Sequence, residues 1–229
     1  MCEKYNVIFD LDDTLFPESE FALSGFEAVA EYLSKESTFE SDTIYRLLQE
    51  DFDNSVRGDN FDQLLNKTEI DASIDKLVEV YRTHSPDIEL LPEAEICLTQ
   101  LSDRSLQLIT NGTATKQRNK IKALGISDIF DNIYISGEFG TNSAKPSTHL
   151  FEKCLEDGNK ESERTVYIAD NPVKDFIAPN HLGMRSIWIN REWGEYADLE
   201  PTTDREQPTV SVSDLTAVPD ILTQWEIDT

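Results

Sequence analysis

Several kinds of residue and segment are scarce in this sequence, and each scarcity excludes a class of protein. There are three cysteines, Cys2, Cys97 and Cys154, whose wide spacing matches neither a disulfide framework nor a metal-binding motif. No apolar run approaches the roughly 18 to 20 residues that a membrane-spanning helix needs. The N-terminal MCEKYNVIFD also lacks the apolar stretch and cleavage site of a signal peptide. We therefore expect a cytoplasmic protein without a membrane partner.

Basic residues are scarce as well. Twenty lysines and arginines stand against 45 aspartates and glutamates, which gives a formal net charge of −25 over 229 residues. A field of this sign repels nucleic acid and anionic membrane surfaces, so neither is an expected partner. The charge has two interpretations: ordinary solubilising surface charge, or adaptation to high salt, where screening removes the mutual repulsion of the carboxylates. The size of the charge favours high salt.

The high-salt interpretation makes a prediction about stability. If carboxylates repel one another in dilute buffer, the melting temperature should rise as KCl is increased from low to molar concentration. Thermal melts followed by circular dichroism over a series of KCl concentrations measure this. A melting temperature that falls or stays constant across the series would contradict the interpretation.

The sequence does contain short apolar runs that alternate with amphipathic segments, at a hydrophobic content of 38% that is typical of a globular chain. The predicted strands are residues 5–9, 105–110, 133–136, 165–170 and 185–189, with a weaker one at 209–214. The predicted helices are residues 90–101, 114–124, 147–157, a turn and helix at 172–182, and a last helix ending near Trp225. This alternation indicates βαβ units. We expect an α/β fold with a Rossmann-like parallel sheet and helices on both faces.

Residues 17–90 interrupt the alternation of strands and helices. Apolar residues recur there at helical spacing without a clear strand, which predicts three or four amphipathic helices, and Arg57 lies in a loop between them. Because the interruption follows the first strand directly, we interpret residues 17–90 as an inserted helical cap domain. Residues 1–16 and 91–229 would then form the core.

Polar side chains follow the predicted strands. They are Asp10, Asp12, Asp13 and Thr14 after the first strand, Thr110 and Asn111 after the second, Lys145 after the third, and Asp170 and Asp175 after the fourth. Ligands of open parallel sheets bind outside the carboxyl ends of the strands, so these groups are expected to meet there. Clustered carboxylates suit Mg²⁺, a carboxylate can act as a nucleophile, and lysine and hydroxyl groups bind phosphate. The sequence therefore indicates a site for a metal ion and a phosphate.

The same segments resemble, in order, the four motifs of the haloacid dehalogenase superfamily. They are DLDDT at residues 10–14, LITNGT with Thr110, AKPS with Lys145, and YIADNPVKD with Asp170 and Asp175. The resemblance covers nearly the whole chain and is to the phosphatases that carry a helical cap after the first strand. It implies Mg²⁺-dependent hydrolysis of a small phosphate monoester, such as a sugar phosphate, through an aspartyl-phosphate.

The resemblance also implies a role for each residue. Asp10 would be the nucleophile and a metal ligand, and Asp12 would be the general acid and base, with its backbone carbonyl also on the metal. Thr110 and Asn111 would bind the transferring phosphoryl group, and Lys145 would steady both Asp10 and the phosphate. Asp170 would bind Mg²⁺, and Asp175 would support it directly or through water. Asp13 is expected only to turn the chain.

Two other functions remain open at the level of sequence. A phosphomutase of the same superfamily would return the phosphate to its sugar, and a non-catalytic relative would bind a phosphorylated ligand or a protein. The presence of Asp12 favours phosphoryl transfer, because a leaving alkoxide needs a proton. The sequence names neither the phosphate ester nor the oligomeric state.

Overall fold

The computed structural model describes residues 4–54 and 58–228. Two compact units make up the chain: Met1–Pro17 together with Glu89–Thr229, and Glu18–Ile88, which is inserted in the chain between those two segments. Cys97 and Cys154 are buried free thiols. Cys2 and Arg57 lie outside the described residues.

The larger unit contains a six-stranded sheet. Its strands are β1 Asn6–Phe9, β2 Leu106–Thr110, β3 Asn132–Ile135, β4 Thr165–Ala169, β5 Arg185–Ile189 and β6 Val210–Val212. Their order is β3-β2-β1-β4-β5-β6, and every neighbouring pair is parallel. All residues of β1, β2 and β4 are buried, which explains their nearly continuous apolar sequences. The predicted α/β fold with a Rossmann-like parallel sheet is confirmed, and the weak prediction at 209–214 corresponds to β6.

The smaller unit, Glu18–Ile88, is helical. Its helices are α1 Glu18–Glu36, α2 Ser41–Asp53, α3 Asn60–Thr68 and α4 Ile74–Thr83. Their apolar faces form one core, in which Phe26, Val29 and Leu33 follow helical spacing along α1. The ring of Tyr81 lies 5.9 Å from that of Phe26 and 5.8 Å from that of Phe61, measured between centroids. That the Glu18–Ile88 unit acts as a cap stays a prediction.

Among the described residues, the larger unit contains five further α-helices: α5 Pro92–Gln100, α6 Ala114–Ala123, α7 His149–Gly158, α8 Ile177–His181 and α9 Val218–Ile227. Helix α7 packs against β2 and β3, and α8 packs against β5. The chain leaves α6 through Gly125, whose φ of 68° is a left-handed conformation that glycine adopts without a steric penalty. Within the described residues, no helix combines the length and the apolar character that crossing a membrane requires.

The strand order places a topological switch point at β1. From β1 the chain continues to β2 and β3 on one side of the sheet, whereas β4, β5 and β6 extend the other side. Connections that leave in opposite directions open a crevice at the carboxyl ends of the strands, where ligands bind in such sheets. Such a crevice is expected where the ends of β1, β2 and β4 meet.

Candidate active site

The turn after β1 is held by backbone bonds and by one distant arginine. The Asp10 N–H donates to the Ile168 carbonyl of β4 at 2.9 Å, which fixes the start of the turn. Asp13 has a φ of 52°, a left-handed conformation that aspartate tolerates. This conformation fits its expected role in turning the chain. The guanidinium of Arg191 donates to the carbonyls of Asp13 at 2.6 Å and Thr14 at 3.0 Å. These contacts fix the backbone of the turn and therefore the positions of its carboxylates.

Lys145 lies at the centre of the site. Its Nζ is 2.6 Å from Asp10 Oδ2 and 3.0 Å from Asp175 Oδ1, and it donates to the Tyr167 hydroxyl at 2.7 Å. The Lys145 side chain is only 1% exposed. A buried ammonium needs such partners because removing it from water is costly. Burial alone would lower the pKa of Lys145, but Asp10 and Asp175 outweigh it and raise that pKa, so the lysine stays charged.

Asn111, directly after β2, bonds to the backbone of Lys145. Its amide donates to the Lys145 carbonyl at 3.2 Å, and its carbonyl oxygen accepts from the Lys145 N–H at 2.9 Å. The side chain of Asn111 therefore positions Lys145. Its predicted contact with a phosphoryl group stays a prediction.

Three carboxylates meet beside Lys145. One oxygen each of Asp10, Asp170 and Asp175 lies within 4.8 Å of the others, and all three residues are buried. The Thr14 hydroxyl donates to Asp170 Oδ1 at 3.2 Å, and the Asn171 N–H donates to Asp175 Oδ2 at 3.1 Å. Tertiary packing thus gathers Asp10 of the first motif and both aspartates of the fourth motif into one cluster.

The pKa values of Asp10 and Asp170 are raised, first by burial and then by the neighbouring carboxylates. Burial raises the pKa of Asp10 to about 6, against the lowering influence of Lys145 and together with the raising influence of Asp175. Burial, and next the charges of Asp175 and Asp10, raise the pKa of Asp170 well above its usual range. A positive charge added among these carboxylates would lower both pKa values.

The residues of the cluster fit a divalent cation. Among the described residues, Asp175 Oδ1 is buried without an aligned hydrogen bond, although it lies within ion-pair distance of Lys145. Carboxylate oxygens are hard ligands of the kind that Mg²⁺ prefers. Asp10, Asp170 and Asp175 would hold such an ion. The side chain of Asp12 does not belong to this group, and the predicted contact of its backbone carbonyl with the metal stays a prediction.

Asp12 and Thr110 are connected through helix α6. Gln117 Nε2 donates to Asp12 Oδ2 at 3.1 Å and to the Thr110 hydroxyl oxygen at 2.6 Å. Lys120 Nζ lies 2.7 Å from Asp12 Oδ1. Gln117 and Lys120 were not predicted as site residues. Their only sequence signal is that two polar residues, three apart, lie on one face of the helix that follows the second motif.

A second lysine, Lys174, stands near the site and was also missed. It lies within the fourth motif, directly before Asp175. Burial lowers its pKa, but Asp175 and Asp10 outweigh that effect and raise it. Its Nζ lies 5.6 Å from the ring centroid of Tyr196, in the irregular segment after β5. Lys174 therefore adds positive charge to the acidic side of the site.

Comparisons with known proteins identify a family of hydrolases to which this chain is similar. The sequence profile described as haloacid dehalogenase-like hydrolase matches residues 7–189, which include all the strand-end groups. A glyceraldehyde 3-phosphate phosphatase of Methanopyrus kandleri is 30% identical over 218 residues, covering 90% of this chain and 91% of the relative. A phosphoserine phosphatase of Thermus thermophilus is 32% identical over 145 residues, covering 62% of this chain and 55% of the relative. The structure of the HAD-hydrolase YfnB from Bacillus subtilis, bound to magnesium, is similar in fold, with a TM-score of 0.70 and 20% identity over 96% of this chain and 99% of that one.

Proposed function

This chain belongs to the haloacid dehalogenase-like hydrolase family, and we propose that it is a Mg²⁺-dependent phosphatase that hydrolyses a small phosphate monoester through an aspartyl-phosphate on Asp10. The observation that carries the proposal is the buried cluster of Asp10, Asp170 and Asp175 around Lys145. A carboxylate held beside a fixed ammonium can attack phosphorus while the ammonium offsets the charge of the phosphoryl oxygens. The sequence similarity to proteins named as phosphatases supports the same class of reaction.

The first half of the proposed reaction transfers the phosphoryl group to the protein. An oxygen of Asp10 forms a bond to phosphorus, and the bond from phosphorus to the ester oxygen breaks. Asp12 gives its proton to the leaving alkoxide, while Lys145 keeps Asp10 in place. Mg²⁺ held by Asp10, Asp170 and Asp175 would supply positive charge that offsets the repulsion between carboxylate and phosphate.

The second half releases phosphate. Asp12, now ionised, takes a proton from a water molecule whose oxygen attacks the phosphorus of the aspartyl-phosphate. The bond between phosphorus and Asp10 breaks, and both aspartates return to their starting states. The hydroxyl of Thr110, at the end of β2, is proposed to bind the phosphoryl group in both halves.

The substrate and its selection are further parts of the proposal. The relatives are named for different small phosphate esters, so their names support the chemical class and not a single compound. We propose that the Glu18–Ile88 unit selects the substrate, as the cap domain implied by the family resemblance would. A cytoplasmic location stays a prediction.

A panel assay tests the function. Purified protein is expected to release inorganic phosphate from at least one small monoester with Mg²⁺ present, and from none with excess EDTA. The panel should contain sugar phosphates, glyceraldehyde 3-phosphate, phosphoglycolate, phosphoserine and nucleoside monophosphates, compared by kcat/KM. An isomerised sugar phosphate in place of free phosphate would identify a phosphomutase. Failure to turn over any member would favour a non-catalytic binding protein.

Mg²⁺ is expected to stabilise the fold, which gives a test of the metal site that does not depend on activity. At a Mg²⁺ concentration about 100 times its Kd, binding should add about 2.7 kcal/mol to the free energy of unfolding. The change is measured as a rise in melting temperature at constant ionic strength. Asp170→Asn should remove most of the rise, whereas Asp128→Asn, at an exposed position, should leave it intact. Equal responses in both variants would show that Mg²⁺ acts only on the general surface charge.

A further inference from the structure

Helix α6 presents two fully buried polar side chains where a helix against a core normally presents apolar ones. Gln117 and Lys120 are both 0% exposed, in a helix whose other residues are mostly polar and outward. A lysine is almost never fully buried unless it is paired. Departures of this kind from the usual pattern are expected at functional sites. The contacts of these two side chains show which function they serve.

Both side chains hold Asp12. Lys120 Nζ lies 2.7 Å from Asp12 Oδ1, and Gln117 Nε2 donates to Asp12 Oδ2 at 3.1 Å. Each carboxylate oxygen therefore has its own partner, and two separate partners fix the plane of the group as well as its position. The partners are fully buried, whereas the Asp12 side chain is 28% exposed. Two buried partners thus hold a carboxylate that is itself partly exposed.

Gln117 joins Asp12 to the phosphate side of the site. The same Nε2 also donates to the Thr110 hydroxyl oxygen at 2.6 Å. Space for Gln117 depends on Gly112, because a Cβ on that glycine would lie 3.0 Å from Gln117 Cγ and Cδ. The glycine in the turn after β2 thus leaves the space that the Gln117 side chain on α6 occupies.

We propose that Gln117 and Lys120 are positioning residues that hold the carboxylate of Asp12 where it meets the leaving oxygen, with Gln117 also setting its distance from Thr110. This rests on the proposed phosphatase function. A proton moves efficiently only when donor and acceptor are held within hydrogen-bond reach, and a displacement of about 1 Å can lower a rate by about 100-fold. Loss of either residue should therefore impair proton delivery by Asp12.

A role in proton delivery can be separated from a general structural role by comparing two substrates. Their leaving groups should differ in whether they need a proton. An alkyl alkoxide must be protonated as it leaves, whereas 4-nitrophenolate is a stable anion and leaves without help. The quantity to compare is kcat/KM, because it reports formation of the aspartyl-phosphate and is not affected by its later hydrolysis. The two substrates are 4-nitrophenyl phosphate and the alkyl monoester that the wild-type protein hydrolyses fastest.

Gln117→Leu and Lys120→Met are the variants to measure, with Mg²⁺ present. For Lys120→Met, kcat/KM on the alkyl ester should fall by about 100-fold, and kcat/KM on 4-nitrophenyl phosphate by less than about threefold. For Gln117→Leu, both activities should fall because its bond to Thr110 is lost as well, but the loss should be larger on the alkyl ester. Lys120→Arg keeps a cationic donor and should recover most of the alkyl activity. Gln107→Leu removes another buried glutamine, on β2, whose amide donates to the Ser105 hydroxyl at 2.8 Å. It should leave the ratio of the two activities unchanged.

A selective loss on the alkyl ester, with recovery in Lys120→Arg, supports the proposal. Equal losses on both substrates, or no loss, would overturn it while leaving the phosphatase function in place. A wild-type protein that hydrolyses neither ester would overturn the phosphatase function, and this proposal with it. Circular dichroism checks that the variants fold, and the two Lys120 variants decide the question if Gln117→Leu does not.

Discussion

Asp10→Asn is expected to abolish phosphate release, lowering kcat by about 10⁴-fold or more, because the amide that replaces the carboxylate cannot form the aspartyl-phosphate. The fold should persist. Burial already disfavours the charged form of Asp10, as its pKa of about 6 shows, so a neutral side chain of the same shape costs little there. Lys145 would keep its ion-pair contact with Asp175 at 3.0 Å. A release assay with purified variant and Mg²⁺ measures the loss, and a thermal melt measures the stability.

Asp13→Asn is the matched control for that experiment. It makes the same chemical change three residues along the chain, and asparagine tolerates the left-handed backbone at this position. We expect activity within a few-fold of the wild type, since the expected role of Asp13 is in the turn. A variant Asp10→Asn that retains substantial turnover would exclude the covalent mechanism. Equal losses in both variants would mean that the charge of the turn, and not a nucleophile, is what matters.

Lys145→Met should damage both stability and activity. Without the ammonium, the carboxylates of Asp10 and Asp175 stay buried with less charge compensation, and breaking a buried ion pair in this way costs about 3–5 kcal/mol. Turnover should fall by about 100- to 1,000-fold, because a fixed charge that stabilises the transition state is lost. Chemical denaturation in Mg²⁺-free buffer measures the stability, and the phosphate-release assay measures the turnover.

The loss of stability in Lys145→Met should depend on pH. Burial raises the pKa of Asp10, and Lys145 is the group that most opposes this, so the folded variant should bind a proton at Asp10 more readily still. A carboxyl group whose folded pKa lies above its unfolded pKa lowers stability at high pH, and this penalty fades as pH falls through the folded pKa. The variant should therefore be closer to the wild type at about pH 5 than at about pH 8.

A matched lysine separates the buried charge from charge in general. Lys153 pairs with Asp157 at 3.0 Å, but both side chains are partly exposed. Lys153→Met should cost no more than about 1 kcal/mol, because exposed ion pairs contribute little. If Lys153→Met and Lys145→Met lost equal stability at both pH values, the buried cluster would not be the cause.

Local sequence patterns were sufficient to predict the strands and helices and much of the candidate site. Periods of apolar residues depend on which face of a strand or helix is buried, and that information lies within a few neighbouring residues. The six strands could therefore be predicted, and the inserted segment could be predicted as three or four helices, of which the structure describes four. Because parallel strands bring their carboxyl ends to one edge, Asp10, Thr110 and Asp170 could also be expected to meet.

The sequence by itself thus determined the kind of fold and the sheet edge at which the candidate site lies. Only the tertiary structure decided which side chains pair there: Asn111 with the Lys145 backbone, Gln117 and Lys120 with Asp12, and Arg191 with the Asp13 and Thr14 carbonyls. These pairs join residues 34 to 178 positions apart in the chain. They depend on β1 lying between β2 and β4 and on the rotamers of buried side chains. Local sequence patterns determine neither the strand order nor these rotamers, because both depend on how the whole unit packs.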